Sequence, residues 1–400
     1  LSEMLVKESK VKEAIKYLEI AITKNQRNGF LYLGLADLKK RIAETSGNSA
    51  LLEEARKSYE SAIEADPSLV NARRNLVTVL LSSGAAGRAL KELEHLAQRP
   101  DFHEEMSYEF GRANQELGQL DEAIKHYQRA IEISPGNAKI LLHAGSARFQ
   151  KKSYGEAKIL LKKAAGINPK ELEAHFYLGR IALIENHHQE AIQRFKQSLE
   201  LDKRNYENRY WLGRALEASG DEDQRKSARQ EYDLVAIQAA KDQALSKKLC
   251  DVFLRRADME MARFAEWQAA INDLDRFLSC SPNHANAFLK RGLLRDRMGD
   301  LKRAEADFKS AIKADAKLGK AYSNLAYTQL RAARPNEKKI KVLLEKSLAY
   351  DKSLSMPHYT LCTMLKERSR AAARKHCQAY IRIDPEGDYA TEAKELLRSL

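Results

Sequence analysis

Three short strings place an aromatic ring four residues ahead of an arginine: Tyr108 and Arg112 in YEFGR, Phe176 and Arg180 in FYLGR, Tyr210 and Arg214 in YWLGR. On a helix, side chains at i and i+4 meet on one face, so each guanidinium can lie over its ring as a cation–π pair. An aromatic offers contact area with little rotamer entropy to lose, and arginine forks onto a carboxylate or a backbone carbonyl. The chemistry open to such pairs is recognition of another chain. Between the first two pairs, at the equivalent positions, stand Leu142 and Ser146.

Nothing comparable points to catalysis. An enzyme needs convergent groups held in a pocket. This chain has no nucleophile placed beside a base, no GxxxxGK[ST] phosphate loop, no GxGxxG, no HExxH and no GxSxG. His187 and His188 are adjacent, an arrangement that seldom lets both bind one metal, and they read as a solvated turn; His143 and His175 read as surface or packing residues. No catalytic, cofactor-binding or metal-binding residue is therefore expected. The four cysteines, Cys250, Cys280, Cys362 and Cys377, show no CxxC and no zinc-like spacing with histidine. Cys362 and Cys377 fall in small or apolar slots, and all four are expected as buried free thiols, which fits a reducing compartment.

The elements that must position the aromatic–arginine strings are set by a repeat. Gly111, Gly145 and Gly179 stand 34 residues apart, as do Ala123, Ala157 and Ala191, and as do Pro135 and Pro169. A period of that length means a repeat array. Each unit between residues 104 and 205 holds two amphipathic segments around a polar turn. In the first unit Phe110, Gly111 and Asn114 share one stripe and Ala123, Tyr127, Ala130 and Ile131 share another, which is helical spacing in both. Two helices of about 13 residues cannot hide their apolar faces alone and must stack on the next pair. Only 8 Pro and 18 Gly, 44% hydrophobic content and the lack of strand-like alternation agree with an all-α chain.

The run Leu178, Gly179, Ala182, Ala191 and Phe195, with Gly145, Ala157, Ala164 and Pro169 in the unit before it, resembles the tetratricopeptide repeat. The pattern is a small residue late in helix A, a small residue opening helix B, an aromatic four later, another small one, then Pro. Small residues let the two helices approach, large ones fill the gap, and Pro stops helix B. The resemblance implies a right-handed α-α superhelix, a solenoid of about ten helix-turn-helix repeats, acting as a non-catalytic scaffold for protein–protein interaction. It also implies that helix A lines the concave side. By register, one column facing that groove is Tyr108, Leu142, Phe176 and Tyr210, and a second, one turn on, is Arg112, Ser146, Arg180 and Arg214. The expected partner-binding residues are Tyr108, Arg112, Leu142, Phe176, Arg180, Tyr210 and Arg214. The carboxylate clamp of chaperone-binding relatives, a Lys and Asn set in three successive units, is not matched: Arg74 and Asn75 are followed by Tyr108 and Glu109, then by Leu142 and His143.

Along the chain, the expected organisation is an N-terminal array over 1–246, a C-terminal array over 247–387 and a capping helix over 388–400. The first residues, LSEMLVKESK, read as the end of a helix A whose beginning is absent, so the chain is expected to be a fragment whose C-terminus alone is natural. AETSGNSALLEE reads as a loop or as an extension of helix B. The unit at 206–246 is irregular, because GDEDQRKS is long and IQAAKDQALSKK lacks turn residues. The last segment puts Tyr389, Ala390, Ala393, Leu396, Leu397 and Leu400 on one stripe, with Asp388 as N-cap, and would cover an open apolar end.

The net charge of +13 is concentrated: residues 301–400 hold 21 Lys and Arg against 12 Asp and Glu, in runs such as NEKKIK and KERSRAAARKH. Such a surface favours an acidic partner. Nucleic acid is not expected, because no aromatics interleave the basic runs and no residue code repeats once per unit. With no span of 18 apolar residues, no membrane span is expected. The missing signal peptide says little of a chain expected to be truncated at its start, and the expected location, cytoplasmic, is the one that free thiols fit. The expected partner is a protein or peptide, an acidic one fitting the basic stretch, and a homo-oligomer is left open. The alternative is a regulatory or sensory arm of a larger signalling or enzymatic protein, its other domain upstream of Leu1, mediating self-association or autoinhibition.

Overall fold

Every segment with a 3.6-residue apolar stripe folds as a helix. The computed structural model describes residues 10–98 and 106–400. The incomplete helix A expected at residues 1–10 lies, apart from Lys10, outside the described residues. The chain divides into two units, residues 1–204 and 205–400.

In the first unit the helices are α1 (Val11–Lys24), α2 (Gly29–Ser46), α3 (Ser49–Ala65), α4 (Val70–Ser82), α5 (Ala86–Ala97), α6 (Ser107–Glu116), α7 (Leu120–Ile133), α8 (Ala138–Gln150), α9 (Tyr154–Ile167), α10 (Leu172–Ile184) and α11 (His188–Leu201). From α2 onward they pair as five hairpins, helix A with helix B, and each helix B then packs on the next helix A. The second unit holds α12 (Tyr206–Ala218), α13 (Glu222–Ala239), the short α14 (Gln243–Lys248), α15 (Asp251–Glu260), α16 (Trp267–Cys280), α17 (Ala285–Arg297), α18 (Leu301–Ala314), α19 (Gly319–Leu330), α20 (Glu337–Tyr350), α21 (Ser355–Leu365), α22 (Arg370–Ile383) and α23 (Ala390–Ser399). Its five hairpins are α12/α13, α15/α16, α17/α18, α19/α20 and α21/α22. No strand occurs among the described residues.

Five of the ten described hairpins close on the same contact. A Cβ built on Gly111 would lie 2.6 Å from the ring of Tyr127; on Gly145, 2.7 Å from Leu161; on Gly179, 2.8 Å from Phe195; on Gly213, 2.5 Å from Tyr232; on Gly292, 2.7 Å from Phe308. The helix A glycine therefore leaves bare backbone for the large helix B side chain to cover, and all five of those side chains are fully buried. Around them the core is a row of small clusters, such as Leu141, Leu161 and Leu178 in the first unit and Leu289, Phe308 and Leu325 in the second. The turn between the helices of a hairpin uses a left-handed residue. Gly84, Gly118, Lys152, Asn186 and Gly220 all have positive φ and stand 34 apart in sequence. Asn137 caps α8 by accepting from the N–H groups of Lys139 and Ile140, and Pro135 and Pro169 follow the ends of α7 and α9.

Three expectations are changed or decided by the structure. AETSGNSALLEE is not a loop: α2 runs to Ser46, Gly47 turns left-handed, and Asn48 caps α3 from Ser49. The last helix starts after Tyr389, not after an Asp388 cap, yet it buries Ala390 and Ala393 against Tyr380 as its stripe requires. The cysteines are not free. Cys250 is bonded to Cys280 and Cys362 to Cys377, with Cα atoms 6.4 and 5.2 Å apart. The last two were correctly read as buried, but they face each other across the α21/α22 hairpin, where two small slots meet. The support that free thiols lent to a reducing compartment is thereby removed.

Substituting Gly111→Ala forces a methyl group into the Tyr127 ring and is expected to destabilise the first unit by about 1–3 kcal/mol. Gly155→Ala, with nothing within 4 Å of its Cβ, is expected to leave stability unchanged or raise it by up to about 1 kcal/mol. Urea denaturation of both variants checks this, and equal effects would contradict the close-approach account.

Candidate functional site

Within residues 1–204 successive helices A touch one another, α4 with α6, α6 with α8, and α8 with α10. Their outward edges therefore form one surface, and two concavities lie along it. The first, about 410 Å³, is lined by Leu33 and Asp37 of α2, by Asn71, Arg74, Asn75 and Thr78 of α4, and by Met106 and Glu109 at the start of α6. The second, about 230 Å³, is lined by Arg112, Gln115 and Glu116 of α6, His143, Ser146 and Gln150 of α8, and Glu173 and Tyr177 of α10. Read at 34-residue steps, the lining forms two columns: Asn75, Glu109, His143 and Tyr177, and beside it Thr78, Arg112 and Ser146.

The lining side chains are held by their neighbours. The Asn75 amide donates to Asp37 Oδ1 at 2.9 Å, and the Tyr59 hydroxyl donates to the same oxygen at 2.6 Å. Gln115 accepts from the Tyr127 hydroxyl at 2.8 Å and donates to Ser146 Oγ at 3.0 Å, linking α6, α7 and α8. Arg112 lies 3.6 Å from Glu116. Burial raises the pKa of Glu109, with Arg74, Arg112 and Lys139 partly opposing, and its Oε2 is buried without a hydrogen-bond partner among the described residues. His143 packs against the rings of Tyr108 at 5.6 Å and Tyr127 at 6.3 Å. Burial first, then the charges of Arg112 and Lys139, lower its pKa to about 4. The surface is thus polar, with fixed donors and acceptors suited to the backbone of an extended or helical segment.

The expected residues fall in different environments. Arg112 lines the second concavity. Leu142 is 4% exposed and belongs to the core with Leu141 and Leu161. Tyr108 is half-buried, with the Lys139 ammonium 5.8 Å from its ring. Phe176 packs on Tyr177 and Phe195, and Arg180 lies over Phe176 at 5.8 Å and over Phe149 at 5.1 Å, so this cation–π pair forms. In the second unit Arg214 lies 6.0 Å from the Tyr210 ring. Tyr210 itself is 5% exposed, and its hydroxyl donates to Asp251 Oδ2 at 2.7 Å. That carboxylate also takes Arg255 Nε at 2.9 Å, so the Tyr210–Arg214 pair ties α12 to α15. What the sequence reading missed is the column one residue further on, Asn75, Glu109, His143 and Tyr177. The signal was present in ILLHAG, where a histidine interrupts an apolar run.

His187, in the turn before α11, is exposed and lies 3.3 Å from Glu185, while His175 is buried with Nε2 2.9 Å from the Pro169 carbonyl oxygen. Among the described residues no three His, Cys, Asp or Glu side chains are grouped to hold a metal. No described helix is long and apolar enough to cross a membrane.

Two family models match. One, described as TPR repeat, covers residues 111–152, and the other, described as tetratricopeptide repeat, covers 138–171 and 285–318. The five described hairpins of each unit, five of the ten built on a glycine under a large side chain, agree with those matches. The chain carries tetratricopeptide repeats. Arrays of this repeat are scaffolds for protein–protein interaction. The array is similar to RNA polymerase II-associated protein 3 of Xenopus tropicalis, 29% identical over 158 residues, which are 36% of this chain and 24% of that protein. It is also similar to TPR repeat-containing protein YpiA of Bacillus subtilis (strain 168), 22% identical over 174 residues, 44% of this chain and 40% of that one. The chain thus spans well under half the length of these curated relatives. Among solved structures, the APC/C hetero-tetramer Cut9-Hcn1 aligns with all of this chain and 88% of its own at 12% identity and a TM-score of 0.40. MamA aligns with 52% of this chain and 95% of its own at 20% identity and a TM-score of 0.28.

The buried, neutral His143 makes the array acid-sensitive. Its folded pKa lies below the value near 6.5 of an unfolded histidine, so between those values the unfolded chain binds more protons and stability falls as pH drops from about 6.5 to about 4. The loss expected from this one group is on the order of 2 kcal/mol, and His143→Gln is expected to lack it. NMR titration should find the His143 imidazole still neutral at pH 5; an ordinary midpoint near 6.5 would contradict the packing described.

Proposed function

We propose that the array is a non-catalytic scaffold that holds a segment of a partner protein along the helix A edges of residues 1–204. The observation that supports this most is the recurrence, one unit after another, of polar or aromatic side chains lining the concavities at the same two positions: Asn75, Glu109, His143 and Tyr177, and Thr78, Arg112 and Ser146. A repeated donor and acceptor set at the spacing of the hairpins fits a chain laid across several helices. Arg112 forks onto a carboxylate or carbonyl, Tyr177 supplies an aromatic face, and Asn75 and Gln150 can pair with a backbone amide. The Tyr108, Phe176–Arg180 and Tyr210–Arg214 groups act in this reading as supports that set the angle of each helix A, with Arg180 at the margin of the surface.

Affinity capture with the tagged full chain, compared with an Arg112→Ala, His143→Ala, Tyr177→Ala variant, tests the reading. The proposal expects the variant, folded by circular dichroism, to lose at least tenfold of one or more captured proteins while a Lys163→Ala control on the outer side of α9 retains them. Equal recovery by all three would contradict it.

A further inference from the structure

A second concave site lies in residues 205–400, on the side of the hairpins formed by helices B. Between α20 and α22 is a cavity of about 580 Å³, with His358 of α21 also on its wall. The apolar part of its lining is Leu348, Ala349 and Ala379, and its cationic part is Lys352, Lys375 and Arg382. Among the described residues these three cations form no ion pair. Glu345, the one carboxylate on the wall, lies 3.7 Å from Lys341 outside the cavity. Several arginines elsewhere in the unit are, by contrast, neutralised by carboxylates. Arg291 and Arg295 are both held by Asp307 and Asp275, Arg255 by Asp251 and Glu217, and Arg256 by Asp273.

Two histidines in the cavity respond to the same uncompensated charge. His358 Nδ1 and His376 Nδ1 are 2.9 Å apart, so one must donate and the other accept, and the pair is neutral. Burial, then His376, Arg382 and Lys375, lower His358 to about 4, and burial, then Lys375 and Lys341, lower His376. Among the described residues no third His, Cys, Asp or Glu side chain is grouped with the two histidines to hold a metal. Lys375 and Arg382 are two turns apart, about 10 Å along α22, a spacing that suits carboxylates spread along a segment.

We propose that this cavity docks an acidic segment of a protein partner, an apolar side chain resting on Leu348, Ala349 and Ala379 while flanking carboxylates meet Lys352, Lys375 and Arg382. The site is separate from the helix A surface and does not depend on that surface binding anything.

The test uses fluorescence polarisation with the full chain and three probes. These are a fluorescein-labelled decapeptide of Asp and Glu around a central Leu-Phe pair, the same peptide with Asn and Gln in place of the acids, and inositol hexakisphosphate as competitor. The acidic peptide is expected to bind at low salt, to weaken steeply as salt is raised, and to shift the ring resonances of His358 and His376. The neutral peptide is expected not to bind. The Lys352→Gln, Lys375→Gln, Arg382→Gln variant, whose changed side chains are all exposed and whose fold is checked by circular dichroism, is expected to bind the acidic peptide at least tenfold more weakly. Arg112→Ala is expected to bind it as the parent does. The proposal is overturned by no binding at low salt, by equal binding to the triple variant, by loss of binding in Arg112→Ala, or by inositol hexakisphosphate binding where the peptide does not.

Discussion

In each regular hairpin the closest contact sets a glycine of helix A against a ring or a branched side chain of helix B. Gly111 under Tyr127, Gly179 under Phe195 and Gly292 under Phe308 are the same contact made three times, at a separation that no side chain on the first helix would permit. The large residue is fully buried where its own hairpin meets the next helix A, as Tyr127 packs with Ala144 and Ala147 of α8. One side chain therefore serves both the hairpin and the stack. That is why the core is a row of small clusters and why the repeat tolerates a long helix A at α2, a lengthened α13 and a short extra helix at α14 without losing its pattern.

A second consequence follows for recognition. With the face toward helix B used for packing, each helix A keeps one narrow edge on which residue choice is free. In residues 1–204 that edge carries Asn75, Glu109, His143 and Tyr177. Its polar groups are braced from below, Gln115 by the same Tyr127 that packs on Gly111 and Asn75 through Asp37 by Tyr59. Where that residue is a tyrosine, as at 59 and 127, it serves twice, packing with its ring and orienting the surface with its hydroxyl. Braced side chains have less rotamer entropy to lose when a partner arrives.

The fold was legible because its determinants recur. One glycine, one alanine and one proline at a fixed 34-residue period outweigh any single propensity, and the hairpins at Gly145 and Gly179 form where that period places them. The surface was legible only in part. Successive residues on a helix are rotated by about 100°, so knowing which helix faces a groove does not say which of two adjacent residues does. Leu142 is in the core and His143, though largely buried, lines the concavity. The left-handed turn position was hidden at Lys152 and Asn186, where the glycine found at 84, 118 and 220 is replaced. The cysteine pairs were hidden for another reason. Residues 15 and 30 apart meet only once a hairpin has folded, and no local motif announces them.

Site-specific photo-crosslinking tests the central claim most directly, namely that the helix A edge, and not the outer side of helix B, is where a partner of the first unit lies. A benzophenone side chain placed in turn at 143, at 177 and at 163 on the outer side of α9 would be irradiated in the source cells and the adducts resolved by mass. The account predicts one common adduct at 143 and 177 that is absent at 163. The same adduct at all three positions, or at 163 alone, would contradict it.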